Sequence, residues 1–290
     1  MQTAVRHLDD LASEPHLEAT LVSTTRITDR RAAEVRELVL EIDAPEFLGA
    51  VGKNVAVLAP GDPALGQLVH RRLYTIADLP ETSEGGRARI KLCVRRCSYV
   101  DDYSGEEFPG VASNYLCDLL PGATVALTGP HEAAFEVPAD PETTLILIGT
   151  GTGIAPFRAL VKHLYRDVPD WRGQVMLFYG ARSGLELLYM NDQVDDFAQY
   201  YDEETFRAFK ALSPRPHWND PIAWDRAISQ RATELLELLG KPKTTVYVAG
   251  LEAMRPHLDA VFTTLLGSRE SWQEHRDQMA AAGRWVELLY

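Results

Sequence analysis

The strongest constraint on how this chain can fold is an apolar run followed directly by a glycine-rich turn. Residues 144–148 are almost wholly apolar, which is typical of a strand buried on both faces of a parallel sheet. The turn Gly149-Thr150-Gly151-Thr152-Gly153 follows, and Ile154-Ala155-Pro156 opens a predicted helix. Glycines let a backbone approach a pyrophosphate closely, and a helix N-terminus offers unpaired N–H donors. The pattern predicts a nucleotide-binding turn; the alternative is a tight turn with a structural role only.

Strands and helices are predicted to alternate through the rest of this half. The strands are expected at 144–148, 175–179, 206–212 and 245–249, and the helices at 155–166, 185–198, 224–239 and 254–266. Such alternation predicts a doubly wound parallel α/β domain, which we assign to residues 141–290.

The first half has a different sequence pattern, in which short runs of partly alternating apolar and polar residues are separated by turns. Strands are expected at 20–27, 35–42, 55–58, 88–94 and 124–127, and one helix at 113–120. Strands at this spacing predict an antiparallel β-barrel over residues 1–140. The expected fold class is therefore α+β with two domains, the antiparallel β-barrel preceding the parallel α/β domain, and the boundary lies near Asp140.

Composition excludes several classes of partner. The net charge is −13, from 42 acidic and 29 basic residues, which argues against binding to nucleic acid and to anionic membranes. No apolar run approaches the roughly 20 residues that a membrane span needs. Residues 1–18 carry acids and lack an apolar core, so we expect no secretory signal and a cytoplasmic protein.

Three cysteines, Cys93, Cys97 and Cys117, contain no Cys-x-x-Cys pair. An iron–sulfur cluster normally needs four thiolates, so this chain cannot hold one alone, and no metal site is predicted. We expect all three thiols to be buried as small hydrophobic groups.

Two segments of the first half could bind a flat ring or a phosphate. In Arg72-Leu73-Tyr74-Thr75, an arginine can hold a phosphate and a tyrosine can stack on a ring. In Gly110-Val111-Ala112-Ser113, a bare helix end could hold a phosphate group. Taken alone, the first segment is an ordinary half-exposed strand and Ser113 is a helix N-cap.

Together, these segments match a known family in order. Residues from about 19 to 290 resemble the plant-type ferredoxin–NADP reductases. The resemblance rests on six segments, which are 72–77, 92–99, 110–120, 149–158, 187–189 and 246–251.

The resemblance implies FAD as the cofactor, bound by the first domain. Tyr74 is expected to stack on the isoalloxazine, Thr75 to lie near its N5 edge, and Tyr99 to contact the adenine. The implied FAD contacts are Arg72, Leu73, Tyr74, Thr75, Cys93, Val94, Arg95, Tyr99, Gly110, Val111, Ala112, Ser113 and Tyr290. Tyr290, in a tail apolar enough to be a docked strand, is expected to cover the other face of the flavin. The implied catalytic residues are Thr75, Glu287 and Tyr290.

The resemblance also implies NADP(H) as the coenzyme of the second domain, with NAD(H) as the alternative. The implied contacts are Thr150, Gly151, Thr152, Gly153, Ala181, Arg182, Ser213, Arg215, Arg226, Gly250, Leu251 and Met254. Ser213, Arg215 and Arg226 are expected near the 2′-phosphate, because a guanidinium beside a phosphate is the usual solution. Trp218 or Trp224 is expected to supply the nearby aromatic ring.

Three positions depart from the family. Ala249 stands where a cysteine is usual before the Gly250-Leu251 pair, and the arginine after Ser213 is displaced by one residue. Glu287 lies three residues before Tyr290, where the family has its glutamate two before. Either the tail bulges by one residue, or Leu288 occupies the position of the carboxylate.

The implied activity is hydride transfer between NADP(H) and FAD, with single electrons passing to or from a ferredoxin or a flavodoxin. Two alternatives stay open: an NAD(P)H reductase for a small acceptor or an oxygenase component, and a non-catalytic nucleotide-binding regulatory protein. Arginines that cluster at Arg26, Arg30, Arg31 and Arg36, and again from Arg71 to Arg96, form either a docking patch for the acidic partner or a solvated rim.

Overall fold

The structure is a computed structural model that describes residues 16–61, 68–200, 203–218 and 220–290. The chain divides into two compact units between Ala133 and Ala134. We call the portion up to Ala133 unit 1 and the portion from Ala134 to Tyr290 unit 2. Each unit has a hydrophobic core of its own.

Unit 1 is an antiparallel β structure. Its elements are β1 (Leu17–Arg26), β2 (Val35–Ile42), β3 (Asn54–Pro60), β4 (Val69–Thr75), β5 (Glu81–Thr82), β6 (Ala88–Arg95), β7 (Ser98–Val100), β8 (Glu107–Pro109), α1 (Val111–Asp118) and β9 (Thr124–His131), with a short 3-10 helix at Pro45–Gly49. The main sheet has the order β4-β3-β9-β1-β2-β6-β5. The predicted antiparallel fold of this half is confirmed.

Among the described residues, a bridge joins the two ends of the row of six long strands. Ile76, just after β4, forms an antiparallel bridge with Leu92 of β6, and the Ala77 N–H donates to the Lys91 carbonyl at 2.8 Å. Alternate side chains such as Leu38, Leu40 and Leu92 are fully buried inside. Each such burial contributes about 1.5–3 kcal/mol, so the inward face of the strands supplies much of the stability of this unit.

Unit 2 is a parallel α/β structure. Its elements are β10 (Thr144–Thr150), α2 (Ile154–Asp167), β11 (Val175–Ala181), β12 (Phe206–Leu212), α3 (Trp224–Ser229), α4 (Ala232–Leu239), β13 (Thr244–Gly250), α5 (Arg255–Leu266), α6 (Arg269–Ala281) and β14 (Trp285–Leu289). The sheet order is β12-β11-β10-β13-β14, and every pairing is parallel. The predicted α/β fold is confirmed, and so is the strand at the C-terminus.

The prediction of a helix at 185–198 is wrong. This segment contains 3-10 helices at Gly184–Glu186 and Phe197–Tyr200, separated by a bridge between Met190 and Asp195. Tyr189 has φ 59°, and the Asn191 side chain accepts the N–H groups of Gln193 and Val194. A short polar side chain that bonds to its own backbone competes with a helix, so a turn forms here instead.

A buried arginine of α2 fixes this irregular segment. The Arg158 guanidinium lies 4.1 Å from the centre of the Tyr189 ring, and its Nε donates to Asp196 at 2.7 Å. Lys162 reaches the same carboxylate at 3.0 Å. Burial acts to raise the pKa of Asp196, but the Arg158 and Lys162 cations prevail and lower it. These contacts, rather than the hydrogen bonds of a helix, hold residues 184–200 in place.

Two other helix predictions need correction, and one helix was not predicted. The helix predicted at 224–239 is two helices, α3 and α4, because the backbone leaves the helical region at Arg231, where φ is −121°. Helix α6 was not predicted; Gly267 ends α5 at φ 88°, and the Ser268 hydroxyl then caps α6 by accepting the Ser271 N–H. Helix α1 begins at Val111 rather than Ser113, and its N-cap is Gly110.

None of the helices in the described ranges combines the length and the apolar character that crossing a bilayer requires. Within the same ranges, no three His, Cys, Asp or Glu side chains are grouped so that they could hold a metal ion.

Gly180 in β11 provides a test of the packing in unit 2. A Cβ at this position would lie 2.3 Å from Cζ2 of Trp224, whose ring is buried. We expect Gly180→Ala to lower the free energy of unfolding by about 1–3 kcal/mol, because overpacking displaces a buried ring. All five tryptophans (171, 218, 224, 272 and 285) lie in unit 2, so tryptophan fluorescence in urea reports on this unit.

Gly184→Ala is the matched control, because a Cβ there would meet no heavy atom of the described residues within 4 Å. Equal urea midpoints for the two variants would contradict the packing account.

Candidate functional site

The glycine turn lies between β10 and α2, at the carboxyl edge of the parallel sheet. Gly151 adopts φ 55°, a left-handed conformation that favours glycine. Gly153 is required for a different reason, because a Cβ there would lie 2.3 Å from the Ala249 carbonyl oxygen of β13. The Thr150 hydroxyl donates to the Gly180 carbonyl at 2.8 Å. The turn is therefore held against both neighbouring strands.

The N-terminus of α2 is suited to an anion. Its N-cap is Gly153, and no side chain of the described residues caps it. The first N–H groups of a helix lack intrahelical acceptors, and the helix dipole places partial positive charge at the same end. Gly151-Thr152-Gly153 forms one 3-10 turn that leads directly into α2. This arrangement is suited to a phosphate group, and contacts of Thr150, Gly151, Thr152 and Gly153 with the coenzyme stay a prediction.

The C-terminal residue is anchored beside this turn. β14 pairs in parallel with β13, the Tyr290 N–H donates to the Gly250 carbonyl at 3.1 Å, and Glu252 N–H donates to the Tyr290 carbonyl at 3.1 Å. The hydroxyls of Tyr290 and Thr152 lie 2.5 Å apart and share a hydrogen bond. Tyr290 nevertheless remains 48% exposed, so its ring is accessible within unit 2.

Glu287 does not share the face of Tyr290. The pairing of residues 246–250 with 285–289 is continuous, so the tail has no bulge over these described residues, and Leu288 lies two residues before Tyr290. The Glu287 carboxylate accepts from Arg255 Nη2 at 2.7 Å and from the Trp285 indole N–H at 2.7 Å. These contacts favour a structural role for Glu287, and its catalytic role stays a prediction.

Ser213, Arg215 and Asp220 lie together after β12. The Ser213 N–H donates to the Ala181 carbonyl, its hydroxyl donates to the Asp220 carbonyl at 2.7 Å, and Arg215 Nε donates to the Asp220 carboxylate at 2.8 Å. This hydrogen bond raises the pKa of Arg215. Arg182, which follows β11, donates to the Pro216 carbonyl at 3.3 Å. Asp220 was not identified from the sequence, although an acidic residue between Arg215 and Arg226 indicates that one of these arginines could be paired.

The aromatic residue expected near this loop is not Trp224. Its ring is buried at 2% exposure and fills the space above Gly180, so it cannot stack on an adenine. The Trp218 side chain lies outside the described part of the chain. Arg226 is exposed on α3, and Leu251 is 41% exposed, so both are accessible. Met254 and Ala181 are buried, which restricts them to contacts through the backbone.

On the flavin side, β4 presents the predicted segment. Arg72 and Leu73 are exposed, and Leu73 has 58% of its surface accessible. Tyr74 packs against the core of unit 1, and burial raises the pKa of its hydroxyl. The Thr75 hydroxyl donates to the Asn54 side chain at 2.8 Å. A strand that exposes Arg72 and Leu73 and holds an ordered tyrosine can support a flat ring system.

Ser113 does not cap α1. Its hydroxyl accepts the Cys97 N–H at 3.2 Å and donates to the Gly110 carbonyl at 3.3 Å. Gly110 N–H donates to the Cys97 carbonyl at 2.8 Å, and a Cβ at Gly110 would lie 2.9 Å from the Ser113 hydroxyl. The helix end therefore carries no side-chain cap from the described residues, which leaves it able to bind a phosphate.

The hairpin of β7 and β8 presents two aromatic rings. Tyr99 and Phe108 are a cross-strand pair with ring centres 5.5 Å apart, and they are 55% and 38% exposed. Phe108 was not identified from the sequence. A cleft of about 370 Å³ lies nearby, lined by Arg96, Cys97, Ser98, Glu107, Pro109 and Asn114. Of the other predicted contacts, Arg95 and Val111 are exposed, whereas Cys93, Val94 and Ala112 are buried, so only their backbones can reach a ligand.

Several clustered arginines are neutralised by acids. Arg36 and Arg96 both bond to Glu34, and Arg96 also bonds to Asp118. Arg31 pairs with Asp29, and Arg26 donates to three backbone carbonyls of the adjacent loop. The solvated-rim interpretation fits these arginines better than a docking patch does.

Comparisons with known proteins agree with this arrangement. A model of the oxidoreductase NAD-binding domain matches residues 147–259. The chain is 32% identical over 285 residues to the chloroplastic ferredoxin–NADP reductase of Spinacia oleracea, covering 95% of this chain and 75% of that protein. It is 33% identical over 287 residues to the chloroplastic leaf-type isozyme of Nicotiana tabacum, covering 96% and 77%. The ferredoxin-NADP+ reductase structure from Plasmodium falciparum shares the fold, with a TM-score of 0.66, 19% identity, and 95% and 96% of the two chains covered.

The parallel sheet, the glycine turn and the matched domain define an oxidoreductase with a nucleotide-binding domain. With identity above 30% along nearly its whole length, the chain belongs to the ferredoxin–NADP reductase family.

The cysteines provide a test of the site on unit 1. Cys93 and Cys117 are buried as expected, but Cys97 is exposed, contrary to prediction. Burial raises the pKa of Cys117 to about 11, so its thiolate is scarce at pH 8. We expect iodoacetamide to alkylate Cys97 first, because the thiolate is the reactive form and access is required. Peptide mass spectrometry after short labelling measures this.

Cys97→Ser is the control, and it should remove the early label. Alkylation of Cys93 or Cys117 as fast as that of Cys97 would contradict the burial described here.

Proposed function

We propose that this chain is an FAD-dependent oxidoreductase that transfers hydride between NADP(H) and FAD and exchanges single electrons with a ferredoxin or flavodoxin. The observation that carries the proposal is the uncapped N-terminus of α2 behind the glycine turn, in a chain of this family. The predicted domains, 1–140 for FAD and 141–290 for NADP(H), belong to the same proposal.

The residues of unit 1 fit FAD. The exposed rings of Tyr99 and Phe108 suit an adenine, the uncapped end of α1 suits a phosphate, and Tyr74 on β4 suits an isoalloxazine ring. When bound, FAD accepts a hydride and releases electrons one at a time. Arg72 is proposed to bind the pyrophosphate, and Thr75 is proposed to be held near the reactive edge of the ring by Asn54.

The residues of unit 2 fit a dinucleotide coenzyme. Thr152 and the N–H groups of α2 are proposed to bind the pyrophosphate, and Ser213, Arg215 and Arg226 to bind the 2′-phosphate of NADP(H). A further structure of the P. falciparum enzyme, with a TM-score of 0.63 and 20% identity, contains 2'P-AMP. Tyr290, anchored on Gly250 and Thr152, is proposed to occupy the place of the nicotinamide until the coenzyme displaces it. Its stacking on the flavin and the cytoplasmic location stay predictions.

Anaerobic titration of the purified protein with NADPH tests the proposed function. We expect the visible flavin band to bleach with about one equivalent of NADPH per FAD, because one hydride reduces one flavin. Reduced protein should then pass electrons to added ferredoxin or flavodoxin.

A colourless protein, or a yellow one that neither NADPH nor NADH bleaches, would contradict the proposal and favour a non-catalytic nucleotide-binding protein. Bleaching followed by electron transfer to quinones or dyes alone would favour a reductase for small acceptors.

Tyr290 provides a second test. We expect Tyr290→Ser to tighten NADP+ binding by about tenfold or more and to lower kcat, because the nicotinamide no longer competes with a docked ring and leaves slowly. Tyr290→Phe keeps the ring and removes only the bond to Thr152, so it should change both quantities less. Equilibrium binding of NADP+ and steady-state rates with ferricyanide measure the two effects. If Tyr290→Ser changes neither the affinity for NADP+ nor kcat, the Tyr290 ring does not compete with the nicotinamide.

A further inference from the structure

Asp220 is hydrogen-bonded to two of the three residues proposed to bind the coenzyme's 2′-phosphate, Ser213 and Arg215. Its carboxylate accepts from Arg215 Nε at 2.8 Å, and its backbone carbonyl accepts from the Ser213 hydroxyl at 2.7 Å. The Asp220 side chain is 22% exposed and the Arg215 side chain 67% exposed. Asp220 is thus the more enclosed partner, and the Arg215 side chain is the one that solvent and a ligand can reach.

The two coenzymes place opposite demands on this loop. In dinucleotide-binding folds, an acidic residue accepts the ribose 2′-hydroxyl of NAD, and an arginine accommodates the 2′-phosphate of NADP. This chain carries both residues, paired with each other. A 2′-phosphate must share or take the guanidinium that Asp220 holds through Nε, and it must tolerate the carboxylate beside it. A 2′-hydroxyl can donate to that carboxylate without breaking the pair.

We propose that Asp220 determines the coenzyme selectivity of this enzyme, by competing with the 2′-phosphate of NADP(H) for Arg215. The inference rests on the proposed function, and it adds a residue that lowers the preference for NADP(H) over NAD(H). The pair lies after β12, whose last residue is in register with the last residue of β11, so Asp220 and Arg182 lie at the same edge of the sheet as the glycine turn. A coenzyme bound at the turn would lie along this edge, outside the carboxyl ends of the strands.

Nucleotide binding to the FAD-loaded protein tests the proposal without relying on turnover. Titration calorimetry with 2'P-AMP and with AMP gives the ratio of the two dissociation constants. We expect Asp220→Asn to shift this ratio about 3- to 10-fold in favour of 2'P-AMP, which is the range for a partly exposed charge contact. Asp277→Asn, an exposed aspartate on α6, is the matched control and should leave the ratio unchanged.

Arg215→Gln shows whether the effect passes through the guanidinium. We expect it to weaken 2'P-AMP binding with little change for AMP, and the gain from Asp220→Asn should largely disappear in the double variant. Steady-state kcat/KM for NADPH and NADH should move in the same directions. Circular dichroism and flavin absorbance confirm that each variant is folded and loaded.

The outcomes are separable. A ratio for Asp220→Asn equal to that for Asp277→Asn overturns the inference while flavin bleaching and nucleotide binding remain intact. If Asp220→Asn shifts the ratio toward 2'P-AMP just as much in the Arg215→Gln background, Asp220 does not compete for Arg215. The shift then comes from repulsion between the Asp220 carboxylate and the 2′-phosphate alone. If neither nucleotide binds and neither coenzyme bleaches the flavin, the proposed function fails, and the inference fails with it.

Discussion

The close approach of Gly153 to the Ala249 carbonyl is the constraint on which the nucleotide side of unit 2 depends. A side chain at residue 153 would collide with β13, so the turn can pack against this strand only if residue 153 is glycine. That packing places the N-terminus of α2 beside Gly250, where the terminal strand also ends. The same backbone contact therefore positions the anion-binding helix end and the Tyr290 ring.

Sequence patterns predicted the regular elements well where burial alone decides the structure. The bounds of Val35–Ile42 and Phe206–Leu212 were predicted to the residue, because the apolar pattern of each run marks a strand. Residues 185–198 contain enough apolar residues to suggest a helix. Their turn depends on Asn191 and on the distant Arg158, and a local pattern does not contain that information.

The site was predictable as a set of segments and not as a set of contacts. The glycine turn and the terminal strand follow from local sequence, but the direction in which a side chain points depends on strand parity. One extra residue between Glu287 and Tyr290 turns the carboxylate to the other face of β14, where Arg255 and Trp285 bind it. Trp224 shows the same limit, because only the structure reveals that its ring covers Gly180.

Local pairing, rather than net charge, decides what the arginines of unit 1 can do. Glu34 and Asp118 hold Arg36 and Arg96 on the protein, so these cations are compensated before any partner arrives. Arg71 is exposed and adjoins Arg72, the first of the predicted flavin contacts. An acidic electron carrier attracted to a chain of charge −13 must rely on such local cations. The attraction then concentrates where the cofactor is predicted to bind, which is where a short electron path requires the partner to be.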